Sequence, residues 1–179
     1  STSVTLTLSA SDTSSGVASM RFSTDGSTWS TWETYGTSKS FTLAGPDGTN
    51  TVYAQFRDAA GNASTTASDS ILLDRAGPTG TISIDAGAAW TTSTSVTLGL
   101  SASDATSGVA SMRFSADGTT WSTWETYATS KSYTIADSDG TRTVYAQFRD
   151  AAGNASTSVS DTIILDRAAP TGTVVIDGG

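Results

Sequence analysis

Internal repetition constrains this chain more than any other feature of its sequence. The run TVYAQFRDAAGNAST occupies residues 51–65 and recurs unchanged at residues 143–157, an offset of 92. At that offset residues 1–87 align with residues 93–179 without insertion or deletion, and the two copies differ at 19 of the 87 positions. A period of 92 is too long for one unit of a solenoid and matches a whole β-sandwich domain. The repetition therefore predicts sandwich modules in tandem, each with its own core.

The repeat is cut out of phase with the predicted module. The segment PTGTISIDAG at residues 78–87 opens the second copy, and its counterpart PTGTVVIDGG stands at residues 170–179. Two periods make 184 residues, five more than the 179 in the sequence. We therefore expect residues 1–75 to form a sandwich that lacks its own first strand and residues 76–167 to form a complete one. Residues 168–179 are expected to be the first strand of the next repeat or a strand donated to a neighbouring subunit.

Alternation of apolar and polar residues with a period of two predicts strands along the whole chain. Turn signals such as Asp25-Gly26, Asp47-Gly48 and Gly61-Asn62 separate them. Seven short strands divided in this way predict an all-β, immunoglobulin-like or fibronectin III-like sandwich. The predicted strands are residues 4–8, 17–23, 28–35, 37–43, 51–58 and 65–74, and residues 79–85 at the start of the second copy.

Three segments of the first copy resemble a known group of repeats. They are SDTSSGVASMRFSTDGSTWSTWETY at residues 11–35, DGTNTVYAQFRDAAGNAS at residues 47–64 and LDRAGPTG at residues 73–80. Together they resemble the bacterial and archaeal Ig-like repeats of large secreted or cell-surface proteins, and the resemblance covers essentially the whole chain, twice. It implies an Ig-like sandwich with a spacer or adhesive role, outside the cell or at its surface. Function does not follow from this fold, because the sandwich hosts many roles.

Composition excludes several classes of function. The sequence has no cysteine and no histidine, which rules out a disulfide scaffold, a thiolate metal site and any nucleophile activated by histidine. Its formal net charge is −8, so it is a poor binder of nucleic acid. No apolar run approaches the roughly 20 residues that a membrane-spanning helix needs. Glu33 with a nearby aspartate could in principle form a carboxylate pair for glycoside hydrolysis, but a catalytic site repeated in every small module is unusual. We predict that the chain is not an enzyme and name no catalytic residue.

Aspartate and asparagine recur at matching places in the predicted loops of both copies. Their oxygens are the ligands that Ca²⁺ prefers, and at one pole of a sandwich they would stiffen a junction between modules. The alternative is that they form Asx turns with loop amides, and the lack of a DxDxDG loop favours it. Calcium is thus a candidate cation, and no other cofactor is expected. The candidate ligands are Asp12, Asp58, Asn62 and Asp74 in the first copy and Asp104, Asp150, Asn154 and Asp166 in the second.

Tryptophan pairs mark the predicted third strand of each copy. Trp29 and Trp32, like Trp121 and Trp124, are three residues apart, so on a regular strand they face opposite sides. One is then expected in the core, and the other is a candidate to stack on a sugar ring or a partner chain; ordinary packing is the alternative. A further tryptophan, Trp90, lies between the copies.

Both copies also carry an N-glycosylation sequon, Asn-Ala-Ser, which begins at Asn62 and at Asn154. Its position is the same in the two copies, so any glycan would repeat along the array.

The C-terminal segment suggests how the array continues. Thr173, Val174, Val175 and Ile176 have the β-branched character of a strand, with Val174 and Ile176 facing inward or Val175 in the opposite register. The predicted function is an extracellular structural repeat that forms a stalk or filament by head-to-tail continuation of Ig-like domains, covalently or by strand donation. The alternative is an adhesin module that binds carbohydrate or another surface through tryptophan and tyrosine. The expected partners are identical repeats or subunits, or a surface polysaccharide.

Overall fold

A computed structural model of the chain describes residues 2–177; residues 1, 178 and 179, which include the end of the predicted segment 168–179, lie outside the described residues. The chain divides into two units, Ser1–Ala76 (unit 1) and Gly77–Gly179 (unit 2). Almost all of the regular structure is β-strand, apart from a short 3-10 turn at Asp85–Gly87. Within the described residues, no helix is long and apolar enough to span a membrane.

Residues 2–76 of unit 1 contain six antiparallel strands in two sheets. One sheet has two strands, in the order β1-β4, and the other has four, in the order β3-β2-β5-β6. Glycines with positive φ stand in the turns, including Gly48 at 119° and Gly61 at 98°. The strands are β1 (Ser3–Thr7), β2 (Val17–Ser23), β3 (Glu33–Thr34), β4 (Ser38–Thr42), β5 (Gly48–Asp58) and β6 (Ala67–Leu73).

The described part of unit 2, residues 77–177, contains eight strands, also in two sheets. One sheet has the order β12-β9-β7, and the other has the order β11-β10-β13-β14-β8, in which β8 runs parallel to β14. Two packed sheets with this strand order form an Ig-like or fibronectin III-like sandwich, which confirms the predicted fold class. The strands are β7 (Thr79–Ile84), β8 (Trp90–Thr91), β9 (Ser95–Ser103), β10 (Val109–Ser115), β11 (Glu125–Thr126), β12 (Ser130–Thr134), β13 (Gly140–Asp150) and β14 (Val159–Leu165).

Each unit has a separate hydrophobic core formed by alternate residues of its strands. In unit 2, Leu98 on β9 and Phe148 on β13 are fully buried between the sheets, together with Ile84 on β7. In unit 1, Met20 and Phe22 on β2 occupy the equivalent interior. The period-two alternation thus identifies the buried face of β2 and β5 correctly.

The predicted strand 28–35 is wrong for most of its length. Only Glu33–Thr34 pairs with β2, and the two tryptophans lie in an irregular segment where both are half-buried and neither is core. The cause is local: the N–H of Ser30 donates to the carbonyl of Phe22 at 2.8 Å, and the Ser30 hydroxyl accepts the Phe22 N–H at 3.0 Å. These bonds hold the segment against the end of β2 before a regular ladder forms.

Candidate functional site

An apolar groove runs along unit 1 between β1 and β6. Its volume is about 450 Å³. The inward residues of β5 line it, with Leu6 and Leu8 on one side and Ile71 on the other. Because these residues face the interior of the sandwich, the groove opens the core of unit 1 to solvent.

In unit 2 the equivalent place is filled by β7. This strand pairs antiparallel with β9 from Thr79 opposite Ser103 to Ile84 opposite Leu98, and its other side contacts β14. Ile84 is fully buried and belongs to the core of that unit. At the offset of 92, the counterpart of β7 in unit 1 falls before residue 1, and no strand among residues 2–76 takes its place.

Side-chain exposure measures the effect of this strand. Ile71 on β6 is 47% exposed, whereas its counterpart Ile163 on β14 is 1% exposed. Phe56 is half-buried, whereas its counterpart Phe148 is completely buried. The sequences around these residues are nearly identical in the two copies, so the strand itself accounts for the difference.

The backbone on the same side of unit 1 is also open. β9 pairs with β12 on one side and with β7 on the other, whereas β1 pairs only with β4 among the strands that the structure describes. An unpaired edge presents a row of N–H and C=O groups, which is a template for another strand. The groove therefore combines an apolar floor with a free β-sheet edge.

The C-terminal segment exposes apolar side chains, whereas the groove is an apolar surface that no strand of the described residues covers. Residues 168–177 form no regular secondary structure, and the side chains of Val174, Val175 and Ile176 are 91%, 80% and 90% exposed. Three consecutive branched aliphatic side chains in water are unusual for a monomeric protein. This segment is among the sequence predictions, whereas the residues that line the groove are not. The signal that was available is the offset of 92, which gives each residue around β7 a counterpart in unit 1.

The acidic candidates act as turn residues wherever the structure describes their bonds. The Oδ1 of Asp12 accepts the backbone N–H groups of Ser15, Ser14 and Gly16 at 2.7–3.0 Å, and these donors lower the pKa of Asp12 below its ordinary value. Asp104 accepts the corresponding three N–H groups at 2.8–3.0 Å. This is the Asx-turn arrangement that the sequence offered as the alternative to calcium.

A second acidic turn lies beside each of these Asx turns. The side-chain amide and the backbone N–H of Asn62 both donate to Asp58 at 2.8 Å and lower the pKa of that carboxyl. The N–H of Ala59 donates to the carbonyl of Gly16 at 3.2 Å, so the two loops meet. In unit 2, Asp150 and Asn154 repeat this pairing at the same distances.

The last pair of candidates lies elsewhere in each unit. Leu73 pairs with Gly48, so Asp74 stands at the start of β5, whereas Asp58 stands at its end, roughly 30 Å away at about 3.3 Å per residue. Asp166 follows β14 in the same way. Within one unit the structure thus brings together three of the four candidates, and calcium binding stays a prediction. The sequons stay predictions too, with the side-chain amide of Asn62 already bonded to Asp58.

Both tryptophan pairs stack on arginine. The guanidinium carbon of Arg21 lies 4.9 Å from the ring centre of Trp29 and 4.6 Å from that of Trp32, and the guanidinium carbon of Arg57 lies 4.4 Å from the Trp32 ring. Gln55 accepts two further hydrogen bonds from Arg21, at 2.9 and 2.6 Å. A ligand that stacks on Trp32 has to compete with these two cations.

Unit 2 contains the same stack. It is built from Trp121, Arg113, Trp124 and Arg149 at 4.5–4.9 Å. Arg113 and Arg149 were not predicted as partners of these rings, although each stands between two buried residues of its strand and so points outward. Trp90 on β8 is the most exposed tryptophan described, at 72%.

Glu33, the carboxylate considered for glycoside hydrolysis, forms an ion pair within its own unit. Oε2 of Glu33 accepts the ammonium group of Lys39 at 2.7 Å, and Glu125 repeats this with Lys131 at 2.7 Å. Both pairs are about one-third exposed. They are structural ion pairs on the surface of each unit, and such pairs contribute little to stability.

No protein-family model and no curated protein sequence matches the chain. Among solved structures, the chain is similar to the fibronectin(III)-like modules of CbhA from Clostridium thermocellum, with a TM-score of 0.49 and 16% identity over 97% of this chain and 91% of that chain. It is also similar to the D00-D0 domain of Intimin, with a TM-score of 0.38 and 13% identity over 92% of each chain. A third similarity, to the BSP domain of a biofilm associated protein, has a TM-score of 0.31 and 14% identity over 94% of this chain and 28% of that chain. At such identities, the fold assignment comes from the strand order of this chain.

Proposed function

We propose that this chain is a non-enzymatic structural module of an extracellular filament or stalk, and that residues 170–177 of one copy fill the groove of unit 1 in the next. The observation that carries the proposal is the pair of complementary defects: an open apolar groove beside a free β-edge, and an exposed aliphatic segment without a partner strand. Addition of an extended segment to a sheet edge is an established mode of peptide recognition.

The sequence of the donated segment supports this occupant over others. Residues 78–85 read PTGTISID and include β7, which closes unit 2, whereas residues 170–177 read PTGTVVID. The two segments differ only at Val174 and Val175, which replace Ile82 and Ser83. A segment that fits one unit of the chain should therefore fit the other, because the residues around the groove are nearly the same.

Strand donation of this kind propagates. The donor stands at the end of unit 2 and the acceptor is unit 1, so the two surfaces are different and the contact is heterologous. Such contacts build an open, head-to-tail chain unless a rotation closes it into a ring. The extracellular location rests on the resemblance of the sequence to Ig-like repeats of secreted and surface proteins.

The competing proposal, an adhesin that stacks sugars on its tryptophan pairs, is less well supported. The rings of Trp32 and Trp124 each carry two guanidinium groups, and the rings of Trp29 and Trp121 carry one. These aromatic faces already have partners within their own unit.

A pair of charge-matched variants tests the proposal in the full chain. Val174→Asp with Ile176→Asp places two carboxylates where the donated strand meets the core, whereas Thr171→Asp with Thr173→Asp places them at positions whose counterparts on β7 are exposed. We expect the wild type and the threonine variant to form linear polymers with rising concentration in sedimentation velocity and electron microscopy. The valine–isoleucine variant should stay monomeric.

Three outcomes would contradict strand donation. Polymers of the valine–isoleucine variant equal to those of the wild type would show that the segment is not the contact. A wild type that stays monomeric at every concentration would exclude head-to-tail assembly. Protection of the groove that does not depend on concentration would show that the segment folds back onto its own unit 1.

A further inference from the structure

We infer that the groove of unit 1 binds the incoming strand in a single register. Asp69 and Phe56 set this register through their contacts with two positions of the strand. Asp69 accepts the backbone N–H of Ile176, and Phe56 packs against the bare Cα of Gly172. This inference rests on the proposed strand donation and adds the residues that make it selective.

The role of Asp69 comes from its counterpart in the closed unit. Oδ2 of Asp161 accepts the backbone N–H of Ile84 at 2.8 Å, while its Oδ1 accepts the N–H of Thr162 at 2.8 Å. Asp161 thereby ties the end of β7 to β14, although no pair of the β-ladder joins these two strands.

Asp69 has the same local arrangement as Asp161, but it lies beside the open groove where unit 2 has β7. It lines the groove, it is exposed, and its Oδ1 accepts the N–H of Ser70 at 2.8 Å. The second carboxylate oxygen, which in Asp161 holds the incoming N–H, has no partner among residues 2–177. It is therefore available for the N–H of Ile176, the residue that corresponds to Ile84.

A glycine sets the second point of the register. A Cβ on Gly80 would lie 2.5 Å from Cε2 of the Phe148 ring, a distance that side chains do not reach. The counterparts of these residues are Gly172 and Phe56, and Phe56 is half-buried at the floor of the groove. The groove thus requires glycine four residues before the residue that Asp69 holds.

The two points fix every pair in between. By correspondence with β7 and β9, Gly172 stands opposite Ala10, Val174 opposite Leu8 and Ile176 opposite Leu6. A slip of one residue would turn Val174 and Ile176 toward solvent and would put Thr173 in the core. This register selects the arrangement with Val174 and Ile176 inward from the two that the sequence left open.

Asp177 adds a third contact at the end of the strand. Oδ1 of Asp85 accepts the N–H of Thr97 at 2.7 Å, which places the corresponding carboxylate of Asp177 at the N–H of Thr5. The ligand class is therefore an extended peptide of the form Gly-x-aliphatic-x-aliphatic-Asp.

A peptide-binding experiment in the full chain tests the register. The chain carries Val174→Asp and Ile176→Asp so that its own segment cannot compete, and the probe is a fluorescent peptide of residues 170–177 followed by anisotropy. We expect Asp69→Ala to weaken binding on the order of tenfold, the effect of losing a hydrogen bond to a charged group. Asp69→Asn keeps an acceptor oxygen and should recover part of the affinity.

Changes in the peptide test the other point. Alanine at Gly172 should weaken binding by on the order of a hundredfold or more, because its Cβ meets the Phe56 ring. Alanine at Thr173 is the matched control and should change affinity by less than about threefold, since the counterpart Thr81 is exposed. Ser68→Ala is the matched control in the chain: Ser68 stands next to Asp69 at the groove, but its counterpart Ser160 forms no described hydrogen bond with β7.

The outcomes separate the two proposals. A peptide that fails to bind at all would overturn strand donation itself. A peptide that binds, but with an affinity that neither Asp69→Ala nor the glycine change affects, would overturn the register and leave donation standing. A ¹⁵N-labelled peptide gives a readout independent of affinity, because the Ile176 amide should exchange slowly with solvent in wild-type complexes and faster with Asp69→Ala.

Discussion

The two units share six strands of nearly the same sequence, yet only unit 2 has a closed core. The units differ at two sheet edges: β9 has a neighbour on each side whereas β1 has one, and β14 pairs with the short β8 whereas β6 pairs only with β5 among the described strands. The residues that the missing neighbour would cover, such as Ile71, are exposed, whereas their counterparts are buried. The comparison shows that β7, the first strand of unit 2, completes the core of that unit.

The other sheet has four corresponding strands in the two units, and unit 2 adds the short β8 beside β14. The Tyr35 and Phe56 rings lie 5.9 Å apart at nearly right angles, as do those of Tyr127 and Phe148. The tryptophan–arginine stacks also agree to within 0.1 Å. The open edge of β1 therefore does not change the geometry of these contacts in the opposite sheet. Substitutions near β7 and its counterpart segment should affect the two units differently, whereas substitutions in the opposite sheet should affect them equally.

The largest expected effect comes from a charge on the closing strand. Ile84→Asp buries a carboxylate in the core of unit 2 and should reduce the free energy of unfolding of that unit by about 4 kcal/mol or more. Ile176→Asp, at the corresponding position of the exposed segment, should change stability by less than about 0.5 kcal/mol in monomeric protein. Hydrogen exchange of β13 and β14 measures the effect on unit 2 alone; equal protection in both variants would contradict the comparison.

Next in size is a matched truncation on the inner face. Ile163→Ala removes a fully buried side chain and should cost about 2–5 kcal/mol in unit 2. Ile71→Ala removes a side chain that is already half-exposed, so its cost in unit 1 should be about 1 kcal/mol or less. Denaturant unfolding followed separately in each unit is the measurement. Addition of the 170–177 peptide should raise the cost of Ile71→Ala toward that of Ile163→Ala, and a cost that stays the same would mean that the peptide does not cover Ile71.

A smaller and equal effect is expected in the sheet that the two units share. Trp32→Ala and Trp124→Ala each remove two cation–π contacts and a half-buried ring, and should cost about 1–3 kcal/mol in their own units. Because the stacks have the same geometry, the two costs should agree within about 0.5 kcal/mol. Tryptophan fluorescence during unfolding, with Trp90 present in both variants, follows the loss. A clear difference between the units would show that the open edge does reach the opposite sheet.

The sequence was sufficient for the fold because its strongest signals are local and repeated. The alternation along β2 and β5 identifies the buried face, and the offset of 92 gives each strand of unit 1 a counterpart in unit 2. It failed at residues 28–35, where alternating aromatic residues are typical of a strand but the Ser30 side chain ties the segment back to Phe22. A hydrogen bond between a side chain and a distant backbone group has no periodicity, so pattern reasoning does not detect it.

The candidate site was predictable only in part, for a related reason. The donated segment is visible in sequence because it repeats the β7 sequence, but the acceptor is formed by residues of three strands that meet only after folding. Asp69 is one of three polar residues of β6, and only the bond between Asp161 and Ile84 shows its role. The tryptophans were predicted as candidate ligand sites because their arginine partners lie on other strands, and the sequence does not show that these residues are in contact.

The smallest expected effect concerns acidic turns that lie away from the groove. The N–H groups of Thr28 and Ser27 hold the pKa of Asp25 far below its ordinary value, and those of Thr120 and Thr119 do the same for Asp117. A carboxyl whose folded pKa is depressed stabilises the fold fully above its unfolded pKa, near 4, and loses that contribution as the pH falls toward the folded pKa.

Both units should therefore become less stable between pH 5 and pH 2, and Asp25→Asn and Asp117→Asn should each reduce the pH dependence of their own unit by a similar amount. Unfolding midpoints measured for each unit at several pH values provide the test, and Ser68→Ala, which changes no charge, is the control. These turns carry the same bonds in both units, so the two changes should match even though the stabilities of the units do not. A pH dependence that differs between the two asparagine variants would mean that the closing strand also affects the turns at the ends of β2 and β10.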